Sequence, residues 1–449
     1  MSISVIAIVF MVSLTGAIVI GLPIAFSLIL CAVVTGFCVG GSATNPQIIA
    51  LQLMQGSDSV TLMALPFFVL AGELMNRGGL TRRIIEFCDI FVGRIKGGLG
   101  YVTIFACLLF ASLVGSAVAS TAALGAILIP MMAASGYNRA KAAGLVASAN
   151  LVAPIMPPSV PMIIYGATAS VSINALFLGG IAPALYLTAI MCVVWFFVSR
   201  KDGVKSNKPK PTFREALKIF FDGLWALLLP VIILVGLRGG IFTATEAGVV
   251  AVVYALFAGV CVYRELKPKV LFRALISGSK MSAVVMFLAA TAQVAAYMLT
   301  ISRVPQVITE SLAPLVANPL LLNVVLQIII LLLGTALDVV PTILIMTPIM
   351  LPLLRAANID VVYFGIVFTL TNVLGLVTPP VGPVLNVACA TGKVKMEEIL
   401  VPTIPYFIFQ ALLVLLMALF PEIITHPLKW IAGYNAPPMQ NIITVLTGK

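Results

Sequence analysis

Long apolar runs separated by short polar clusters follow one another along the whole chain, and several are interrupted where a simple membrane span would be continuous. Residues 3–38 are apolar around a Gly21-Leu22-Pro23 break, which predicts two spans meeting at a tight turn or one long kinked helix. No Lys or Arg occurs before Arg77, and the run is too long for the apolar region of a secretory signal, so it is read as structure. Residues 62–75 predict a span leading into an amphipathic arm, 80–95, in which Arg82, Arg83, Glu86 and Arg94 alternate with Ile84, Ile85, Phe87 and Ile90. Residues 281–301 lead into a second, charge-poor arm at 304–316. The runs 99–132 and 324–354 carry small and polar residues at their centres, from Ser112 to Thr121 and from Gly334 to Thr342. Each predicts a re-entrant helical hairpin whose tip faces a cavity, because unpaired peptide groups in lipid cost about several kcal/mol.

Behind each hairpin a half-helix, 140–154 or 362–376, ends at a proline-rich break. The breaks are Pro157-Pro158-Ser159-Val160-Pro161 and Pro379-Pro380-Val381-Gly382-Pro383, related by an offset of 222, the difference between 379 and 157. The same offset pairs Pro130 with Pro352, Ser116 with Asp338, Ser120 with Thr342 and Asn150 with Asn372. Matching broken segments in two halves point to a secondary transporter with a site at the midplane. Proline removes a backbone donor and clashes with the preceding turn, so carbonyls around 153–156 and 375–378 are expected to be free. Such oxygens suit a small hard cation such as Na⁺, while half-helix N-termini can face an anion. Close helix packing would account for one such break; two breaks aligned with two hairpins favour function.

Composition sets the class: 61% hydrophobic residues, 9% charged, and mean hydropathy +1.17 describe a polytopic membrane protein. Seven scattered cysteines form no disulfide framework or CxxC pattern, and the one histidine, His426, argues against a histidine-based metal or catalytic centre. There is no GxxxxGK[ST] loop for a pump and no His-Glu-x-x-His for an intramembrane enzyme. The net charge of +11 is spread as loop charge rather than as a nucleic-acid patch. Basic clusters at 77–96, 139–141, 200–218, 264–280 and 393–395 are placed in the cytoplasm, and the charge-poor connections near 40–58, 167–174, 238–244, 303–320 and Arg355 outside. This topology makes the halves inverted with respect to each other. The predicted fold is an all-α polytopic membrane protein of two inverted repeats, 1–199 and 219–432, each with a re-entrant hairpin and a discontinuous helix (140–170 and 362–391). A cytoplasmic linker, 200–218, joins them, and 433–449 is a C-terminal tail in which Tyr434, like Trp430 just before it, can anchor at the interface.

Three ordered motifs carry a family resemblance: Gly115-Ser116 and Ser120-Thr121 followed by Pro-Pro-Ser-Val-Pro-Met-Ile-Ile-Tyr-Gly at 157–166; Gly-Gly-Ile-Phe-Thr-Ala-Thr-Glu-Ala at 239–247; and Thr378-Pro379-Pro380-Val381-Gly382. Over residues 1–432 the chain resembles the large membrane subunit of tripartite ATP-independent periplasmic (TRAP) transporters, and within them members that handle sugar acids and keto acids. It departs from the pattern at Ala244 and Pro383. The resemblance implies Na⁺-coupled import of an organic acid anion across the bacterial inner membrane by an elevator mechanism. It implies as partners a separate small four-helix membrane subunit and a periplasmic substrate-binding protein, with no cofactor beyond Na⁺ as coupling ion. One Na⁺ site is implied at Gly115, Ser116, Ser120, Asn150, Pro154 and Pro157, and a second at Gly334, Asp338, Thr342, Asn372, Thr378 and Gly382. The substrate is implied near Ser116, Thr121, Ser159, Thr342 and Pro380. The competing expectation is a permease of the same fold that works without a binding protein, as an exporter or channel-like carrier.

Ionisable residues at membrane depth are costly and hence informative. Asp338, in the second tip, is expected to hold a cation or to accept backbone hydrogen bonds; Glu73 and Glu246, near helix ends, are expected to be structural, with Glu246 capping a helix that begins after Thr245.

Overall fold

The structure is a computed structural model that describes residues 3–40, 45–59, 61–202, 212–311, 313–379 and 381–441. Among these, every regular element is helical. The first apolar run is two helices, α1 (Ile3–Val19) and α2 (Ile24–Val39), packed on each other around a turn where Gly21 has φ 91°. A left-handed residue followed by Pro23 ends one helix and starts the next, so the single kinked helix is excluded. Next come α3 (Pro46–Ser57), α4 (Ala64–Arg77) and the amphipathic arm α5 (Leu80–Val92), which buries Leu80, Ile84, Ile85 and Cys88. Then follow α6 (Gly98–Val114), α7 (Ala117–Ala134), α8 (Arg139–Ala149), α9 (Val160–Ala169), α10 (Ile173–Asp202) and α11 (Phe213–Arg238).

The second part of the chain contains α12 (Ala244–Phe257), α13 (Pro268–Ile301), α14 (Val304–Ser311), α15 (Ala313–Val316), α16 (Pro319–Gly334), α17 (Val339–Ala356), α18 (Val361–Gly375), α19 (Pro383–Gly392), α20 (Met396–Leu419) and α21 (Glu422–Ala432). Two basic stretches read as loops are partly helical. Arg200 lies in α10 and residues 213–218 in α11, while Lys269, Arg273 and Lys280 lie in α13, whose start is set by Pro268 at its first position. The Lys-Pro-Lys-Pro at 208–211 falls outside the described residues. Glu246 does not precede its helix: Thr243 caps α12, and Glu246 is the third helical residue, accepting from Thr243 N at 2.8 Å in a capping box.

Among the described residues, seven helices are long and apolar enough to cross a membrane: α7, α10, α11, α12 with the π-turn that extends it, α13, α17 and α20. The others that matter here are short. The 11 residues of α8 and 10 of α9 extend about 16 and 15 Å, each about half of a bilayer's apolar thickness. Some elements of the two parts of the chain correspond. α17 begins and ends 222 residues after α7, and α18 begins 222 residues after α8. Their caps match too: Ser116 and Asp338 precede α7 and α17, while Asn138 accepts from Ala140 N (2.9 Å) and Asp360 from Tyr363 N (2.7 Å) at the starts of α8 and α18. Packing is exchanged between the halves, α7 against α19 and α17 against α9. α2, α3 and α12 gather around α4 and α13, which in turn contact α6, α9 and α17.

Candidate transport site

Each proline-rich break is built against the tip of the hairpin in its own half. α8 ends at Ala149, a single 3₁₀ turn covers Asn150–Val152, and irregular backbone runs to Ser159, the cap of α9. Gly115, at the first tip, has φ 65°, and a methyl group there would stand 3.1 Å from both Pro158 O and Val160 N. Glycine is therefore favoured twice over, by its left-handed conformation and by the tight contact. In the second half a methyl group on Gly334 would stand 2.5 Å from Asn372 O, and Gly382 N donates to Thr335 O at 3.1 Å, tying break to tip.

The breaks leave fewer free carbonyls than their prolines suggest. Pro154 O accepts from the Ser159 hydroxyl, Gly375 O from Thr378 N (2.9 Å) and Leu376 O from Val384 N (3.1 Å). Thr378 Oγ1 is itself spent on Leu374 O at 2.8 Å. The chain turns tightly enough to satisfy much of its own backbone, as buried peptide groups must. Buried side-chain atoms are left unpaired as well. Ser120 Oγ, Thr121 Oγ1, Asn150 Oδ1 and both polar atoms of the Asn372 amide are buried and have no hydrogen-bond partner. An unsatisfied buried polar atom costs about 1–3 kcal/mol, so each one needs an explanation. Asn150 Nδ2 does donate, to Val146 O at 2.9 Å, which leaves its oxygen as the free end.

The two tips meet across a cavity of about 500 Å³. Gly115, Ser116 and Ala117 line it from the first hairpin, Asp338 to Pro341 from the second, and Pro154, Val160 and Pro161 from the first break. The N-termini of α7, α9 and α17 thus all open into it, and their partial positive charge favours an anion there. The opposite wall comes from α4 (Glu73, Asn76) and α13 (Ser277, Gly278, Met281). These wall residues were not expected from the sequence, where only Glu73 stood out. Glu73 pairs with Arg77 one turn on, as a structural carboxylate would, and also faces the cavity. Asp338 accepts from Val339 N at 2.8 Å with one oxygen.

The expected site residues thus fall into three groups. Gly115, Ser116, Pro154 and Asp338 line the cavity. Ser120, Thr121, Asn150, Pro157, Ser159, Gly334, Thr342, Asn372 and Gly382 are buried outside its lining, and Thr378 is half-buried there. Ser159 and Thr342 donate their hydroxyls to backbone, Thr342 to Asp338 O at 2.9 Å. Pro380 lies outside the described residues.

Residues 11–423 match the family described as "Tripartite ATP-independent periplasmic transporter, DctM component". The chain belongs to the DctM family of TRAP permeases. It is 44% identical over 423 residues, 94% of this chain and 99% of the other, to the 2,3-diketo-L-gulonate TRAP transporter large permease protein YiaN of Escherichia coli. It is 35% identical to the sialic acid TRAP transporter large permease protein SiaM of Vibrio cholerae, over 90% of this chain and 93% of that one. To the C4-dicarboxylate TRAP transporter large permease protein DctM of Pseudomonas aeruginosa it is also 35% identical, over 85% and 90%. Its fold is similar to the crystal structure of the YdaH transporter of Alcanivorax borkumensis, with a TM-score of 0.59 at 16% identity over 87% of this chain and 89% of that one. As a DctM permease the protein is a multi-pass transporter of the bacterial inner membrane, not an enzyme.

Proposed function

We propose that this permease imports an organic acid anion by Na⁺-coupled secondary transport, receiving the anion from a periplasmic binding protein and working with a separate small membrane subunit. The observation that carries the reading is the pairing of convergent helix N-termini with buried, unpaired side-chain oxygens just behind them. Oxygen atoms of amides and hydroxyls are the ligand type a hard monovalent cation takes, so the residues present fit Na⁺. In the first half Asn150 Oδ1 and Ser120 Oγ would hold one ion; in the second, Asn372 Oδ1 and Asp338 would hold another.

Asp338 supplies a reason for coupling. A carboxylate beside a bound anion is repelled by about 4 kcal/mol at 4 Å under near-surface screening, and a cation on Asp338 removes that penalty. Binding of either charge then favours the other. The first half carries neutral Ser116 at the matching position, so the second half supplies the charge-dependent part. With Glu73, Asn76 and Ser277 toward the basic ends of α4 and α13, the cavity reaches the cytoplasmic side under the positive-inside rule, an inward-facing arrangement. Sliding of hairpins and broken helices past α4 and α13, an elevator movement about inverted repeats, would carry the same cavity outward. A sugar acid or keto acid is the preferred substrate class, supported by the 44% identity to the diketogulonate permease.

Reconstitution with the two partner proteins in liposomes tests this. An inward Na⁺ gradient without ATP should drive uptake of the acid, and omission of the binding protein should abolish it; uptake unaffected by removing either Na⁺ or the binding protein would contradict the reading.

A further inference from the structure

A directed chain of hydrogen bonds runs inward from the end of the molecule that carries residues 433–441. Thr371 Oγ1 donates to Gln327 Oε1 (2.6 Å), Gln327 Nε2 to Asn323 Oδ1 (3.2 Å), and Asn323 Nδ2 to Tyr363 OH (3.2 Å) and Ala418 O (3.0 Å). Tyr363 OH in turn donates to Met417 O at 2.9 Å. All four side chains are buried, the most accessible, Gln327, at 7%. The outer end opens on a pocket of about 180 Å³ lined by Asn323 and Tyr363 and covered by Pro438, Met439 and Gln440. The inner end is Thr371, next to Asn372 and its unpartnered amide.

Packing alone does not call for this thread. The offset of 222 pairs Gln327 with Phe105 and Thr371 with Ala149, so the first half closes the equivalent helix pair, α6 on α8, with hydrocarbon at both places. Burying amides where Phe and Ala serve is costly unless every group is bonded, and here each is. Because all donors point outward, the Thr371 proton is committed to Gln327 and the hydroxyl offers only lone pairs to anything else.

We propose that Gln327, held by Asn323 and Tyr363, is a positioning residue for the second cation site: it keeps Thr371 an acceptor and sets the rotation of α18 that presents Asn372. The inference rests on the reading of Asn372 as a cation ligand. It predicts that the thread tunes Na⁺ affinity in the second half alone.

The test is Na⁺-dependent thermal stabilisation of the purified full chain, with choline as the control cation. Thr371→Val removes the hydroxyl at constant shape, Thr371→Ser retains it, and Gln327→Phe with Thr371→Ala installs the first half's pair. Half-saturation by Na⁺ should rise on the order of ten-fold in Thr371→Val and in the double variant, as loss of one buried hydrogen bond implies, and should stay near wild type in Thr371→Ser. Equal half-saturation in Thr371→Val and wild type, or equal shifts in the Val and Ser variants, overturns the proposal. Asn372→Ala run alongside separates the two failures. If it responds to Na⁺ as wild type does, the cation-site reading falls; if its response weakens while Thr371→Val keeps the wild-type half-saturation, only the thread falls.

Discussion

At Gly334 two backbones meet so closely that no side chain has room: an added methyl group would lie 2.5 Å from Asn372 O and 3.2 Å from the Gly375 Cα. Neither neighbour is a flexible side chain, so Gly334→Ala should act as overpacking and destabilise by about 1–3 kcal/mol, read as a lower thermal midpoint. Gly115→Ala meets a milder contact but must hold a left-handed conformation, a cost of about 1–2 kcal/mol. Its distortion falls on the cavity, so substrate affinity should fall along with stability. Asp338→Asn keeps size and the backbone hydrogen bond but removes the charge. Uptake should lose most of its dependence on Na⁺ concentration while the protein still folds; an unaltered Na⁺ dependence would take Asp338 out of the ion site. The repeat offset alone aligns Ser116 with Asp338 and Asn150 with Asn372. What could not be read was which atoms stay unpaired. The prolines advertise free carbonyls, yet Ser159, Thr378 and Val384 consume several of them, and only the folded turn shows it.

Helices in this chain start and stop for local reasons that can be tested singly. α12 depends on the reciprocal Thr243 and Glu246 capping box. Glu246→Ala leaves Thr243 N without its acceptor and should lower stability by about 0.5–2 kcal/mol with little effect on Na⁺ affinity. The short helices α8 and α18 were legible because a proline-rich break follows each, whereas the caps at Asn138, Ser159 and Asp360 emerge only from the folded chain. Element ends at basic stretches were less legible, because Lys and Arg sit equally well in a loop and on the exposed face of a helix such as α13, where Lys269, Arg273 and Lys280 are exposed. The cavity wall from α4 and α13 was hidden for another reason. Asn76, Ser277 and Gly278 belong to no motif and face the tips only through tertiary packing.

For the molecule as a whole, the exchanged packing of α7 on α19 and α17 on α9 joins the two halves into one unit, while α4 and α13 stand across the cavity from it. The elevator movement proposed above would need a body holding both tips and both breaks, and a wall past which it can travel. The fold class was readable from hydropathy and from the repeat, because broken helices inside a bilayer tolerate few alternatives. No motif in this chain reveals the direction of travel or the substrate. The proposed coupling to Na⁺ is tested most directly by a Na⁺ titration of acid uptake by the reconstituted three-part transporter. Two oxygen-lined ion sites predict a sigmoidal dependence with a Hill coefficient above about one, lowered toward one by Asn150→Ala and by Asn372→Ala. A hyperbolic wild-type curve, or variants that retain its full steepness, would contradict the account.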